Sequence, residues 1–401
     1  MPWKEHLSMD LRREFVLAAA TPGANVSQLC RDFGISRTNG HKWLRRYKEL
    51  GELGLLDRSR RPLSTSGTSA ETVVRLIELR REFTKWGPKK LQELLGRLGQ
   101  SDVPSVKTIG RILDRVGEPR VRPKSRRRLR IVLREHEKLD AKTPNDVWTV
   151  DFKGWWRTRD NRRFEPLTVR DAFSRYVLCL RMLGSTSGLV VKPAFERLFE
   201  TCGLPKVIRV DNGSPFGCTS APAGLTRLSA WWTSLGIRVS FSRPAHPQDN
   251  GSHERMHLDM ASELESAPAA STKLQQQAAD RWRLEFNEVR PHEAIGMKTP
   301  SALYARSSRR YRGVRAPRYP GNYAIRRVNG QGCIRYSGRT IFISESFVGF
   351  DLAVRKTRAG RLQALFYEVQ LGSFDLASAP HHHRPRLTPK TSIPTRIRTS
   401  P

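Results

Sequence analysis

Acidic residues are scarce in this chain, where 38 Asp plus Glu face 72 Lys plus Arg and the formal charge is +34 over 401 residues. So large a basic excess favours a polyanionic partner, because cations that neutralise phosphates release condensed counterions. A solvated surface or a ribosome-type structural protein is the alternative. Long apolar runs are also missing: no stretch of about 18 apolar residues exists, so no membrane span is expected. Met1-Pro2-Trp3-Lys4-Glu5-His6 lacks the apolar core of a signal peptide, and the expectation is a soluble cytoplasmic protein associated with the nucleoid. Cysteine is sparse too: Cys30, Cys179, Cys202, Cys218 and Cys333 are scattered, odd in number and without Cys-x-x-Cys spacing. They read as reduced residues, and no zinc site is indicated.

Against that scarcity of acids, three stand in motifs of their own. Asp151 closes Trp148-Thr149-Val150-Asp151, Asp211 opens Asp211-Asn212-Gly213 after Val210, and Glu254 ends His246-Pro247-Gln248-Asp249-Asn250-Gly251-Ser252-His253-Glu254. Bare carboxylates gathered in a basic chain suit divalent cations held against a polyanion. Hard oxygen ligands with few enforced contacts fit Mg²⁺ or Mn²⁺, which keep waters and accept phosphate oxygens. Two such ions about 4 Å apart activate an attacking oxygen and stabilise a leaving one, with no protein nucleophile.

The chain before these motifs is helical. Stretches 11–20, 26–33 and 36–47 form a helix-turn-helix pattern, with Gly34 suited to the tight turn and Ser36 to the cap. The second helix of such a unit enters the major groove, which makes Arg37, Thr38, Asn39, His41 and Lys42 the candidate DNA contacts. An ordinary three-helix bundle is the other reading. Residues 57–68 read as a linker, and helices over 71–86, 88–98 and 105–116 form a second helix-turn-helix or a plain spacer. The basic connector that follows contains Arg126-Arg127-Arg128, candidates to order along a DNA backbone, with a solvated linker as the alternative.

Strands are expected at 147–152, 167–171, 176–181, 206–210 and 237–241, with helices at 189–201, 226–235 and from the loop 242–250 onward. Three strands, helix, strand, helix, strand, helix is the order of a ribonuclease H-like domain, an α/β mixed sheet flanked by helices. Five short strands between residues 323 and 367, joined by Asn329-Gly330, Ser337-Gly338 and Ala359-Gly360, suggest a small C-terminal β-barrel. The expected division is therefore multidomain: 1–60 helix-turn-helix, 69–118 second helical domain, 119–144 basic linker, 145–305 catalytic core, 318–376 β-barrel, and 377–401 a disordered basic tail that includes His381-His382-His383.

The chain resembles insertion-sequence transposases whose catalytic domain is related to retroviral integrases, the Asp-Asp-Glu class. The resemblance rests on the motifs of Asp151 and Asp211, on Gly203-Leu204-Pro205, on residues 242–254, and on Asn287-Glu288-Val289-Arg290-Pro291-His292 with Pro300 and Tyr304. It covers most of the chain and implies that Asp151, Asp211 and Glu254 are the catalytic, metal-holding residues. It further implies double-stranded DNA (element ends and target) as partner, strand cleavage followed by strand transfer, and a homo-oligomer on DNA. A helix-turn-helix regulator without catalysis and a nuclease that cuts without joining are the alternatives. The spacer 212–253 is longer than the family ordinarily carries, which suggests an insertion around 216–225. His246, Gln248, Asn250, Arg255, Arg290 and His292 are secondary candidates, with Asp249 ranked below Glu254 as a ligand. Asp171, beside Arg170 and Arg175, reads as a structural acid.

Overall fold

The computed structural model describes residues 8–57, 67–118, 139–242, 251–358 and 360–375. Arg126–Arg128, His246, Gln248, Asp249, Asn250 and the tail with its three histidines lie outside them. Residues 1–67 form one compact unit and 68–401 another.

In the first unit, α1 (Ser8–Ala19), α2 (Val26–Asp32) and α3 (Arg37–Leu50) follow the expected order. Asn25 caps α2 and Ser36 caps α3 through their side-chain oxygens, and Gly34 takes a φ of +65° in the turn between them. Gly40 lets α3 close on its neighbours, because a Cβ there would collide with Cys30 Sγ and with Phe15. Arg37, Thr38, Asn39, His41 and Lys42 all face outward. Trp43, Leu44 and Tyr47 pack inward against Phe15 and Val16.

The second unit opens with α4 (Ala70–Glu82), α5 (Pro88–Arg97) and α6 (Val106–Arg115), whose leucines and isoleucines enclose Trp86. Ser69 and Ser105 cap α4 and α6, and Pro88 occupies the first turn of α5, where its missing N–H costs nothing.

The mixed sheet comprises β1 (Val147–Phe152), β2 (Trp156–Arg157), β3 (Arg163–Asp171), β4 (Val177–Leu183), β5 (Val207–Val210) and β6 (Arg238–Phe241). β1 pairs antiparallel with β3 and parallel with β5, while β3 carries β4 and β5 carries β6. β2 continues along β3 where β1 leaves off, a strand the alternation had not disclosed. Helices α7 (Gly188–Cys202) and α8 (Arg227–Ser234) cover one face, burying Trp148 and Val150 with Phe195, Phe199 and Trp232. On the other face lie α9 (Gly251–Met260), a π-helical turn Ala261–Glu265 and α10 (Thr272–Glu288), which enclose Trp156, Phe164, Met256, Met260 and Phe286. Successive side chains of β1 therefore serve two different helix layers.

The C-terminal part corrects one expectation. Its strands β7 (Ala324–Arg327), β8 (Cys333–Tyr336), β9 (Arg339–Phe342), β10 (Asp351–Lys356), β11 (Arg361–Phe366) and β12 (Val369–Asp375) close no barrel. They form an open sheet in the order β12-β11-β10-β7 and a separate β8-β9 hairpin. Closure requires the last strand to pair with the first at a consistent stagger, but here β7 and β12 remain the two edges. A barrel is not needed to bury the apolar face, because the α/β domain helps to cover it. Leu225 and Ala230 share a core with Ile341, Leu352, Val354, Leu362 and Phe366, and Phe241 packs against it.

That contact locates the longer spacer in three dimensions. Residues 214–226 fold behind Asp211, with Phe216 stacked between Phe152 and Trp232 in the main core at 5.5 and 6.0 Å. Nine residues on, Leu225 lies in the C-terminal core. The segment is closed by the Gly217–Leu225 bridge and by the Thr226 hydroxyl, which donates to Pro215 O at 2.7 Å.

Candidate active site

The sheet register brings the first two acids level. β1 and β5 run parallel with Thr149 opposite Arg209, so Asp151 and Asp211 each lie two residues beyond the same pair. Asp211 is exposed just past the end of β5, and its Oδ1 accepts from Gly213 N at 3.3 Å in a tight turn. Asn212 donates to Ser242 O at 2.6 Å, tying that turn to the end of β6. Glu254 is exposed on the first turn of α9.

Electrostatics join the three. The Asp151 carboxyl is pushed up to about 7, first by burial and then by the negative charges of Asp211 and Glu254. His257 stands beside it, with Nδ1 3.9 Å from Oδ2, beyond hydrogen bonding. Burial, with Lys153 and Arg170, pushes that imidazole down to about 3, so it offers Asp151 no positive charge. Lys153, the closest lysine in sequence, is engaged by Glu265 instead. Among the described residues no three His, Cys, Asp or Glu side chains stand at ligating spacing, so the acids converge at the range of charge repulsion, not of coordination. The donor set nevertheless fits a hard divalent cation, which would relieve the mutual repulsion that lifts Asp151.

Beneath the acids lies a polar network that the motifs did not reveal. Thr168 sits opposite Asp151 on β3, and its hydroxyl donates to Asp151 O at 2.9 Å. With its single hydrogen so used, it accepts from His253 Nε2–H at 2.6 Å and His257 Nε2–H at 3.0 Å. His253 Nδ1 lies 3.0 Å from the Thr149 hydroxyl, which also reaches Arg170 O at 3.3 Å. His253 and Thr168 are fully buried, and burial beside His257 lowers the His253 pKa well below its usual value. The signal for this network was two histidines four residues apart, hence on one helix face. It was passed over for the residues flanking Glu254.

Several secondary candidates have packing partners. Arg290 is buried and pairs with Glu285 at 2.7 Å, with Glu263, and with Asp259 at 3.6 Å, so it fastens α9 and the π-helical turn to α10. Its guanidinium also lies over Trp282 and Phe286. His292 is half-buried against the Phe286 ring, and burial pushes it down to about 3. Arg255 is exposed beside Asp259 at 3.6 Å. Asp171 is a buried cap, accepting from Asn145 N, Ser174 N and the Ser174 hydroxyl at 2.6–2.7 Å.

Comparison with known proteins bears on the domains of the chain. Integrase core domain models match residues 141–247 and 235–300, a Helix-turn-helix domain model matches 11–62, and a Homeodomain-like domain model matches 39–113. The chain is 28% identical over 267 residues to an uncharacterized 39.2 kDa protein of insertion element IS476 from Xanthomonas euvesicatoria, spanning 65% of this chain and 72% of that protein. It is 28% identical over 234 residues to an uncharacterized 31.7 kDa protein of insertion element IS407 from Burkholderia multivorans, spanning 58% and 80%. Among solved structures, the HTLV-2 integrase catalytic core domain in complex with magnesium aligns at 18% identity and a TM-score of 0.30, over 41% of this chain and all of that one. No helix among the described residues is long and apolar enough to cross a membrane.

Proposed function

For a chain that is an insertion-sequence relative with an integrase-like core and helix-turn-helix DNA-binding domains, we propose the activity of a DNA transposase. It binds element ends, cuts a strand to free a 3′-hydroxyl, and joins that hydroxyl to target DNA. The observation that carries this reading is the level placement of Asp151 and Asp211 at the ends of the paired strands β1 and β5, where burial first, and then the charges of Asp211 and Glu254, lift Asp151 to about 7 in a chain of charge +34. Asp151, Asp211 and Glu254 would hold Mg²⁺ or Mn²⁺, which supplies Lewis-acid stabilisation of the charge that develops on the reacting phosphate. The chain's own residues supply placement. β1 and β5 fix two acids side by side, and α9 brings the third.

In this reading residues 1–60 and 69–118 contact element ends, and 145–305 carry the chemistry. Arg37, Thr38, Asn39, His41 and Lys42 face the major groove, and Arg126, Arg127 and Arg128 follow the backbone. Joining two ends to one target calls for at least two copies on DNA.

The test is an in vitro reaction of the full chain with labelled end DNA and Mg²⁺. Cut and joined products are expected from the wild type, and Asp151→Asn, Asp211→Asn and Glu254→Gln should bind ends yet form neither. Cutting without joining would identify a nuclease, and binding alone a regulator. Strand transfer by any of the three variants would overturn the assignment of that acid.

A further inference from the structure

Glu254 is exposed, and among the described residues no hydrogen bond or ion pair of its side chain fixes its height above the sheet, so its placement depends on how α9 is held. The helix meets the sheet through few apolar side chains, chiefly Met256 and Met260. On the same helix His253 and His257 both reach the Thr168 hydroxyl of β3. That same oxygen donates to the backbone carbonyl of Asp151. One atom thus joins the residue before Glu254 to the residue that carries the first acid. Apolar contacts let a helix slide by fractions of an ångström, whereas a hydroxyl with one hydrogen and two lone pairs admits a single arrangement of three partners.

We infer that Thr168, with His253 and His257, is a positioning set that registers α9 against β1 and so fixes the separation of Glu254 from Asp151. The inference rests on the metal-holding role proposed for those acids and names what sets their spacing. None of the three touches the reacting atoms in this scheme, and their effect is on the affinity of the acids for the cation. Buried partners that orient metal-holding side chains typically change metal affinity about 10- to 100-fold when removed.

Thr168→Val deletes the hydroxyl at nearly constant volume, and Thr168→Ser retains it. In the full chain, Thr168→Val should raise the Mg²⁺ concentration for half-maximal strand cleavage about tenfold. It should also weaken the rise in melting temperature that Mn²⁺ produces without DNA, while end-DNA binding in EDTA stays unchanged. Thr168→Ser should restore both metal responses. Should the valine variant prove too unstable to assay, His257→Phe removes one partner of the hydroxyl at a less buried position, with the same shift expected. Metal responses equal to wild type in the valine or phenylalanine variant, or a serine variant as impaired as valine, would overturn the inference alone. A wild type in which neither ion alters cleavage or melting overturns it together with the metal-holding role of the acids.

Discussion

Replacing Asp151 by asparagine is expected to stabilise the metal-free protein. The folded-state carboxyl sits at about 7 against a reference of 3.8, a rise caused first by burial and then by Asp211 and Glu254. Because the folded pKa is raised, the proton-linked stability is fully present below the unfolded value and is lost as pH climbs through about 7. The difference of about three units corresponds to roughly 4 kcal/mol as an upper bound. With 28% of the Asp151 side chain exposed, water screens much of this, and about 1–2 kcal/mol at pH 8 is the realistic gain. Asparagine keeps the shape and drops the charge, so thermal melts in EDTA should show the variant a few degrees above wild type at pH 8, by roughly 2–4 °C per kcal/mol for a domain of this size. At pH 5, where folded Asp151 is protonated but the unfolded carboxyl is still ionised, the gap should narrow to less than half, and it should close only below about 3.8. Mg²⁺ should raise the wild-type midpoint at pH 8 and leave the variant nearly unmoved. A variant that melts at or below wild type at pH 8 would refute the idea that burial and the neighbouring acids penalise a charged Asp151.

Two further substitutions probe what surrounds the site. Arg290→Met should cost about 3–5 kcal/mol, since it leaves Glu263, Glu285 and Asp259 without their buried cation; a loss below about 1 kcal/mol in denaturant titration would mean that the cluster is effectively solvated. Leu225→Ala should cost about 2–5 kcal/mol and raise amide exchange in residues 351–366 more than in β1. Uniform exchange would count against Leu225 as a member of the C-terminal core.

The sequence pattern disclosed local structure far better than long-range closure. β1, with its run Val147–Phe152, and β8, between two Gly-containing turns, lie where alternation and turn chemistry place them. β12 escaped notice because it follows a turn at Tyr367, which takes a φ of +52° without glycine or asparagine to advertise it. The barrel was inferred from hairpins. Which strand pairs with which at the edges depends on contacts such as β7 with β10, which no turn encodes. At the site, motif and position gave three acids, and the register of β1 with β5 sets two of them, Asp151 and Asp211, level. The histidines remained hidden because their significance lies in a threonine 85 residues from His253 in the chain. Arg290 was legible as unusual, but its triple carboxylate partnership was not, because Glu263, Glu285 and Asp259 come from different helical turns.

The segment between Asp211 and Glu254 also bears on how such proteins can be recombined. Phe216 is keyed into the core of the α/β domain and Leu225 into the terminal sheet, so the terminal sheet is not an interchangeable appendage. A chimera that exchanged only residues 318–376 would leave Leu225 and Phe241 facing a foreign surface. Exchange should succeed when residues 214–241 travel with the sheet, which makes a stretch inside the α/β domain part of the heritable unit of its C-terminal neighbour.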